Sequence, residues 1–156
     1  MIINKKYLAM CLISIIILSL GCIDNTKPQT GTILKRTMYS GKGELTVKNG
    51  LTYDAVAVLA MSKMPKVSVL SVYIRSYDSY TINDMSDNNY ILYYVIGDDW
   101  NKDSRRFMKI KESSRFEDEL RYTTSSSYGT IYTATLNPVP EGNATTMNVD
   151  EEDFPK

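Results

Sequence analysis

Short runs rich in valine, isoleucine, threonine and tyrosine, each broken by glycine, asparagine, aspartate, serine or proline, dominate the sequence after residue 42. β-Branched and aromatic side chains suit a pleated sheet, and turn-forming residues at such intervals are typical of connections between strands. The pattern contains no long amphipathic helix, so we expect an all-β fold, an antiparallel β-sandwich of about seven to eight strands. Strands are predicted at 44–48, 53–60, 66–75, 79–83, 90–96, 106–109, 120–124 and 130–136.

Local signals predict three of the connections. Asn49-Gly50 follows the first of these strands and indicates a tight hairpin turn, because both central residues of such a turn take positive φ. The polar segment 97–105 is expected to be a loop. Residues 113–119 have room for a single helical turn.

The first residues have the pattern of an export signal. Lys5 and Lys6 precede an uncharged apolar run from Tyr7 to Ile23. A positive segment followed by an apolar one is typical of a secretory signal. An uncleaved signal anchor is the alternative, and both place the rest of the chain on the extracytoplasmic side, because positive charge stays in the cytoplasm.

The end of the leader, LSLGC, resembles the lipobox of prokaryotic lipoproteins. In that motif a small residue precedes a cysteine that is diacylated and becomes the new N-terminus. The resemblance implies that residues 1–21 are a lipoprotein signal peptide and that Cys22 is the lipidation site. Two acyl chains of the palmitate type give stable anchoring. The expected location is therefore the cell membrane, with the chain lipid-anchored at its extracytoplasmic face.

Composition excludes several classes of function. Removing residues 1–21 leaves 135 residues with 16 basic and 18 acidic side chains, so no electrostatic footprint for nucleic acid is present. The chain has no histidine, and after Cys22 it has no cysteine. Ser-His and Cys-His catalysis and the familiar zinc sites are thereby excluded, and we expect no catalytic residues, no metal and no cofactor.

The exported part is expected to be one domain of ordinary size. Polar residues 22–30 are predicted to be a tether, followed by the sandwich at 31–140. The chain from Asn137 onward contains Pro138, Pro140 and Pro155 and a late acidic cluster. Residues 141–156 are therefore predicted to be an extended acidic C-terminal segment, either an edge or a tail.

A ligand face is predicted around Trp100, Tyr93 and Tyr94, because aromatic side chains often form binding surfaces. The alternative is that these residues pair across strands and fill the core. The expected ligand is an unknown protein or glycan, in addition to membrane lipid at the anchor. Asn143, in the sequon Asn-Ala-Thr, is a possible glycosylation site.

Acidic clusters suggest further chemistry. Asp98, Asp99 and Asp103 surround Trp100 and could bind Ca²⁺, although their spacing differs from the calcium-loop pattern. The clusters 117–119 and 150–153 could include a catalytic carboxylate pair. The alternative is that Trp100 caps the edge of the core and that all of these acidic side chains are solvated.

Several segments resemble a family of small secreted or lipid-anchored prokaryotic proteins, many of archaeal type, that has no established biochemical role. The segments that carry the resemblance are GELTVKNGLTYDAVAVLA, VYIRSYDSYTI, YILYYVIGDDW, SRFEDELRYTT, TLNPVPEGNATT and EDFP. More remotely, SYTINDMSDNNYILYYVIG is similar to the hairpin of transthyretin-like and carboxypeptidase-regulatory-like sandwich domains. The resemblance implies a β-sandwich of the kind that serves in stalks and binding modules.

Together these observations predict a membrane-anchored extracytoplasmic lipoprotein whose sandwich is a non-catalytic binding or cell-envelope structural module. A calcium-dependent adhesion or sensor domain is one alternative. A hydrolase that uses carboxylates alone is the other.

Overall fold

The computed structural model describes residues 27–138, 142 and 144–156, and these residues form ten strands and no helix. Cys22, Asn143 and the predicted signal peptide lie outside the described residues. The all-β prediction is confirmed, with more strands than expected. The strands are β1 (Ile33–Arg36), β2 (Gly43–Lys48), β3 (Asp54–Met61), β4 (Ser68–Ile74), β5 (Ser79–Met85), β6 (Asn88–Asn101), β7 (Arg106–Phe116), β8 (Leu120–Tyr122), β9 (Ile131–Thr135) and β10 (Thr146–Asn148).

The strands form two sheets of unequal size. The large sheet has seven strands, in the order β1-β4-β3-β6-β7-β10, and β8 pairs with β6 beyond the end of β7. The small sheet has three strands, in the order β5-β2-β9. All pairs are antiparallel except β2 and β9, which run parallel. The predicted antiparallel sandwich is therefore confirmed with one parallel pair in it.

The main core lies between the two sheets. In β2, alternate residues point inward, so Leu45 and Val47 are fully buried, while Thr46 points outward and its hydroxyl lies 2.9 Å from that of Thr81. Opposite them, β6 contributes Leu92 and Tyr94 to the same cluster. Full burial of a valine or leucine side chain contributes about 1.5–3 kcal/mol, so this alternation holds the sheets together.

The large sheet buries a second cluster on its outer face. β3 and β6 are apolar on both sides, so Val58 and Tyr93 lie in this outer cluster while their chain neighbours lie in the main core. A strand with two apolar faces needs a cover on each. The outer cover comes from the β6–β7 hairpin and from the C-terminal segment.

The β6–β7 hairpin occupies much of the segment predicted to be a polar loop. β6 continues to Asn101 and β7 begins at Arg106, so the loop prediction for 97–105 is wrong except at the tip. The Trp100 ring lies 4.8 Å from that of Tyr73, on the outer face. The pairing of β6 with β7 shifts register between Ile96 and Gly97. A Cβ at Gly97 would lie 2.7 Å from the carbonyl oxygen of Lys109, so a larger residue would not fit there without a shift of the backbone.

An extended edge or tail was predicted for 141–156, and in the structure the C-terminal segment lies along the edge of the large sheet and packs on its outer face. β10 pairs with β7, and the Phe154 ring lies 5.7 Å from that of Tyr93. The backbone N–H of Lys156 donates to the carbonyl oxygen of Lys66 (3.1 Å), and the backbone N–H of Ser68 donates to the carbonyl oxygen of Lys156 (3.1 Å). The residues from Thr146 onward therefore complete the outer cover. The predicted helical turn is also wrong, because 113–116 belongs to β7.

Asn49-Gly50 does not form a hairpin, because β2 and β3 lie in different sheets. Asn49 is buried, and its amide group lies 2.9 Å from the carbonyl oxygen of Tyr53 and 3.0 Å from that of Arg75. Its side-chain oxygen accepts from the N–H of Leu51 (3.2 Å). Asn49 therefore fixes the connection by which the chain crosses from the small sheet to the large one. The Asn-Gly sequence is typical of a hairpin turn, but the two strands that it joins do not pair.

The N-terminal residues that the structure describes also pack against the sandwich, although a tether was predicted for 22–30. Lys27 forms an ion pair with the buried carboxylate of Asp54 (2.9 Å). Arg75 donates to the carbonyl oxygens of Pro28 (2.9 Å) and Lys27 (3.1 Å). The packed unit therefore includes Lys27 and Pro28, which precede the predicted start of the sandwich at residue 31.

Candidate functional site

An open cleft of about 520 Å³ lies between the two sheets on the side of β9. It exists because three strands cannot cover the inner face of a seven-stranded sheet. Glu112 and Phe116 of β7 and Thr146 of β10 line this cleft together with residues of β9. The apolar floor of the cleft is formed by Leu51, Leu92, Phe116, Leu120, Ala134 and Leu136.

A carboxylate network stands at one wall of the cleft. The Tyr94 hydroxyl donates to Glu112 Oε1 (3.0 Å), and the Ser114 hydroxyl lies 2.8 Å from the same oxygen. Ser114 is also 3.1 Å from the side-chain oxygen of Asn148, so its single proton serves one of the two. Burial and the Glu112 charge raise the pKa of Tyr94, which keeps its hydroxyl a donor. Glu112 is thus held in place while remaining exposed.

Two more carboxylates, those of Asp118 and Glu119, line the cleft. Glu119 accepts from the Asn89 amide (3.0 Å) and lies 3.8 Å from Arg121. No lysine or arginine is among the described residues that line the cleft. The cleft therefore combines an apolar floor with negative charge, an environment that favours a ligand with apolar and cationic groups.

β9 forms one border of the cleft and is an edge strand of the small sheet. The backbone N–H of Glu44 donates to the carbonyl oxygen of Thr130 (2.9 Å), and the N–H of Leu136 donates to the carbonyl oxygen of Lys48 (2.9 Å). The backbone groups of Thr130 and Leu136, at the two ends of β9, therefore face β2. By alternation the N–H and C=O groups of Ile131, Thr133 and Thr135 face away from β2. No described strand pairs with that edge. A free edge of this kind accepts an extended peptide.

The predicted ligand face of Trp100, Tyr93 and Tyr94 is not assembled in the structure. Tyr93 and Tyr94 are 4% and 2% exposed and lie in different clusters, on opposite faces of β6. Trp100 packs on Tyr73 and Phe107 in the outer cover. Consecutive strand residues point to opposite faces, which separates the two tyrosines. Of the three, Tyr94 alone reaches the cleft, through its hydroxyl.

The acidic loop considered for Ca²⁺ is paired with lysines. Asp99 lies 3.4 Å from Lys109 and Asp98 lies 3.9 Å from Lys111. Across residues 27–138, 142 and 144–156, no group of three or more acidic, histidine or cysteine side chains is arranged to hold a metal ion. This loop therefore gives no support to the calcium-dependent alternative.

Sequence reasoning missed Glu112 and Ser114. Their alternation with Phe116 along β7 is the signal that could have placed them on one inward face. The predicted helical turn at 113–119 hid that alternation. The openness of this face depends on how far the small sheet extends, which no local pattern reports.

Comparison of the chain with protein-family models, with curated proteins and with solved structures found no match. In the part of the chain that the structure describes, no helix has the length and apolar character needed to cross a membrane. The leader sequence and the geometry of the cleft are therefore the two observations that bear on function.

Proposed function

We propose that the chain is an exported lipoprotein, anchored through Cys22 to the extracytoplasmic face of a membrane, whose β-sandwich is a non-catalytic binding module. The lysine pair, the apolar run and the terminal Gly21-Cys22 support the anchor. The absence of histidine, and of cysteine beyond Cys22, supports a binding role over catalysis by the common nucleophile and base pairs.

The cleft between the sheets is the observation that carries the binding role. Its acidic wall and apolar floor meet the free edge of β9. An extended basic segment of another envelope protein fits this combination. Its backbone would pair with β9, its apolar side chains would enter the cleft, and its lysines or arginines would face Glu112 and Asp118.

The proposal is tested by measuring the affinity of the full lipoprotein in detergent for a synthetic peptide of repeating valine-threonine-lysine-threonine, in which valine and lysine share one strand face. The same peptide with glutamate in place of lysine and a neutral oligosaccharide serve as comparison probes. We expect the lysine peptide to bind, and binding to weaken as salt is added, because exposed charges are screened. Glu112→Gln should weaken binding about twofold to fivefold, the range expected for one exposed charge pair.

Glu152→Gln is the matched control, because Glu152 is exposed in the C-terminal segment and does not line the cleft. It removes the same charge and should leave the affinity unchanged. Equal binding of the lysine and glutamate peptides, or equal effects of the two variants, would refute the acidic cleft as the binding site. Stronger binding of the oligosaccharide than of either peptide would mean that the ligand is a glycan and not a peptide.

A carboxylate-only hydrolase is the second candidate, because Glu112, Asp118 and Glu119 line one concave site. Such an enzyme would use one carboxyl group as acid and another as base or nucleophile. The same incubations distinguish the two functions. Release of cleaved peptide or sugar, abolished by Glu112→Gln, would favour the hydrolase.

A further inference from the structure

The described chain begins at one end of the sandwich, which we call the basal end and define by residues 49–54 and 75–79. Three separate contacts fix the chain there. Asp54 binds Lys27, Arg75 binds the carbonyl oxygens of Lys27 and Pro28, and the Arg75 N–H donates to the Thr30 hydroxyl (3.0 Å). Residues 27–30 are therefore held at this end of the sandwich.

Asp54 makes this attachment strong. Its carboxylate is 5% exposed and accepts from the Tyr73 hydroxyl (2.6 Å) and the Ser76 N–H (2.9 Å) as well as from Lys27. Burial alone would raise the pKa of Asp54, but these hydrogen bonds and the Lys27 charge outweigh it and hold the pKa below its ordinary value. The carboxylate is therefore ionised at neutral pH, and Lys27 is its cationic partner.

The remaining link to the lipidation site is short. Lys27 is five residues after Cys22, and five residues span at most about 18 Å when fully extended. β3 alone is eight residues long and rises about 27 Å from the basal end to the opposite end. An inverted domain would hold Lys27 farther from the bilayer than the link can reach. The basal end is thus the end that a lipid anchor at Cys22 keeps near the membrane.

Two exposed tyrosines stand at the basal end. Tyr53 precedes Asp54 and is 38% exposed, and Tyr77 follows Arg75 by two residues and is 72% exposed. Tyr77 has a φ of 59°, a conformation that costs a bulky residue free energy and that glycine or asparagine would adopt more easily. Tyrosine rings are enriched at membrane–water interfaces because they combine an apolar ring with a polar hydroxyl.

We propose that the basal end of the sandwich rests on the lipid headgroups, with Tyr77 and Tyr53 in contact with the bilayer surface. This inference rests on the proposed lipid anchor and adds to it a fixed orientation of the domain. Exposed tyrosines also occur at the opposite end, where Tyr128 is 77% exposed. The packed N-terminal residues and the short link, rather than the tyrosines alone, decide which end faces the membrane.

Single-cysteine labelling tests the orientation. The folded domain has no cysteine, and the Cys22 thiol is consumed by lipidation, so one introduced cysteine takes one fluorophore. The full chain is produced with its leader, and Tyr77→Cys and Tyr128→Cys are each labelled with a nitrobenzoxadiazole dye. Both proteins are reconstituted into phosphatidylcholine vesicles that contain nitroxide-labelled headgroups, and vesicle flotation is recorded first.

The proposal predicts that both proteins float with the vesicles, that the label at 77 is quenched, and that the label at 128 is not. A long glycine-serine insertion between Asn25 and Thr26 should reduce the quenching at 77. Flotation with equal quenching at the two positions, or with stronger quenching at 128, overturns the orientation and leaves the anchor standing. Undiminished quenching at 77 after the insertion overturns the short link as its cause. Loss of flotation overturns the anchor, and the orientation with it.

Discussion

The two faces of the large sheet are covered in different ways. The small sheet covers the inner face, where Leu92 is fully buried, and leaves the cleft beside β9 open. Side chains of the β6–β7 hairpin and the C-terminal segment cover the outer face, where Ile91 is 7% exposed. The two covers therefore differ in their consequences. The outer cover buries the apolar face of the sheet, whereas the incomplete inner cover also leaves the cleft beside β9 open.

The largest effect is expected inside the inner core. Leu92→Ala should reduce the free energy of unfolding by about 3–4 kcal/mol, since it removes a fully buried side chain between two sheets that cannot close the gap. Ile91→Ala, at the neighbouring position on the outer face, is the matched comparison and should cost about 2 kcal/mol, because its cover can relax. Urea unfolding measures both. Equal losses would mean that the two faces are equally well packed.

A smaller effect is expected from the C-terminal cover. Phe154→Ala should cost about 1–2 kcal/mol, because the Phe154 ring is only partly buried against Tyr93. It should also increase binding of a hydrophobic dye, as Tyr93 and Ile91 become exposed. An unchanged melting temperature together with unchanged dye binding would show that the C-terminal segment does not seal the outer face.

A pH-dependent effect is expected at Asp54, whose partner Tyr73 belongs to the outer cluster. Because the folded-state pKa of Asp54 is lowered, its contribution is complete above the unfolded-state pKa and is lost as pH falls through the folded-state value. Wild type should therefore lose more stability than Asp54→Asn as pH drops below about 4. Parallel stability curves for the two proteins would contradict the assignment.

The smallest effect is expected at Asp153. Its carboxylate pairs with Lys66 (2.7 Å), and this partner lowers the pKa of Asp153, yet both side chains are well exposed. Solvent screens such a pair. Asp153→Asn should leave the unfolding midpoint unchanged. That result would show that the Phe154 ring, and not the neighbouring ion pair, provides the stability of the C-terminal cover. A shift as large as that of Phe154→Ala would reverse this conclusion.

The inner half of the fold could be predicted from the sequence. Alternation in β2 places Leu45 and Val47 inward, and the two-sided apolar run of β6 indicates a strand with a cover on each face. The outer cover could be predicted only in part: Trp100 was one candidate for capping the core edge, but Phe154 stands among acidic residues and gave no such signal. The polar residues around Trp100 and Phe154 favour a loop and a tail, but in the structure both aromatic rings pack on the outer face of the large sheet.

The candidate site was largely beyond prediction. Tyr94 was predicted to be an aromatic ligand contact, but its ring is buried in the main core and its hydroxyl donates to Glu112 at the cleft. Glu112 acquires its place because β7 and β9, which belong to different sheets, line the same cleft. That relation joins strands that are far apart in sequence, and no single segment contains it.

The intact mass of the protein extracted from membranes tests the central claim most directly. The account predicts a chain that has lost residues 1–21 and gained acyl groups on Cys22, with any glycan at Asn143 appearing as a further addition. Cys22→Ser should abolish the lipid mass, because serine has no thiol to be acylated. A native protein recovered from the cytosol at the unmodified mass of 17.7 kDa would contradict the account.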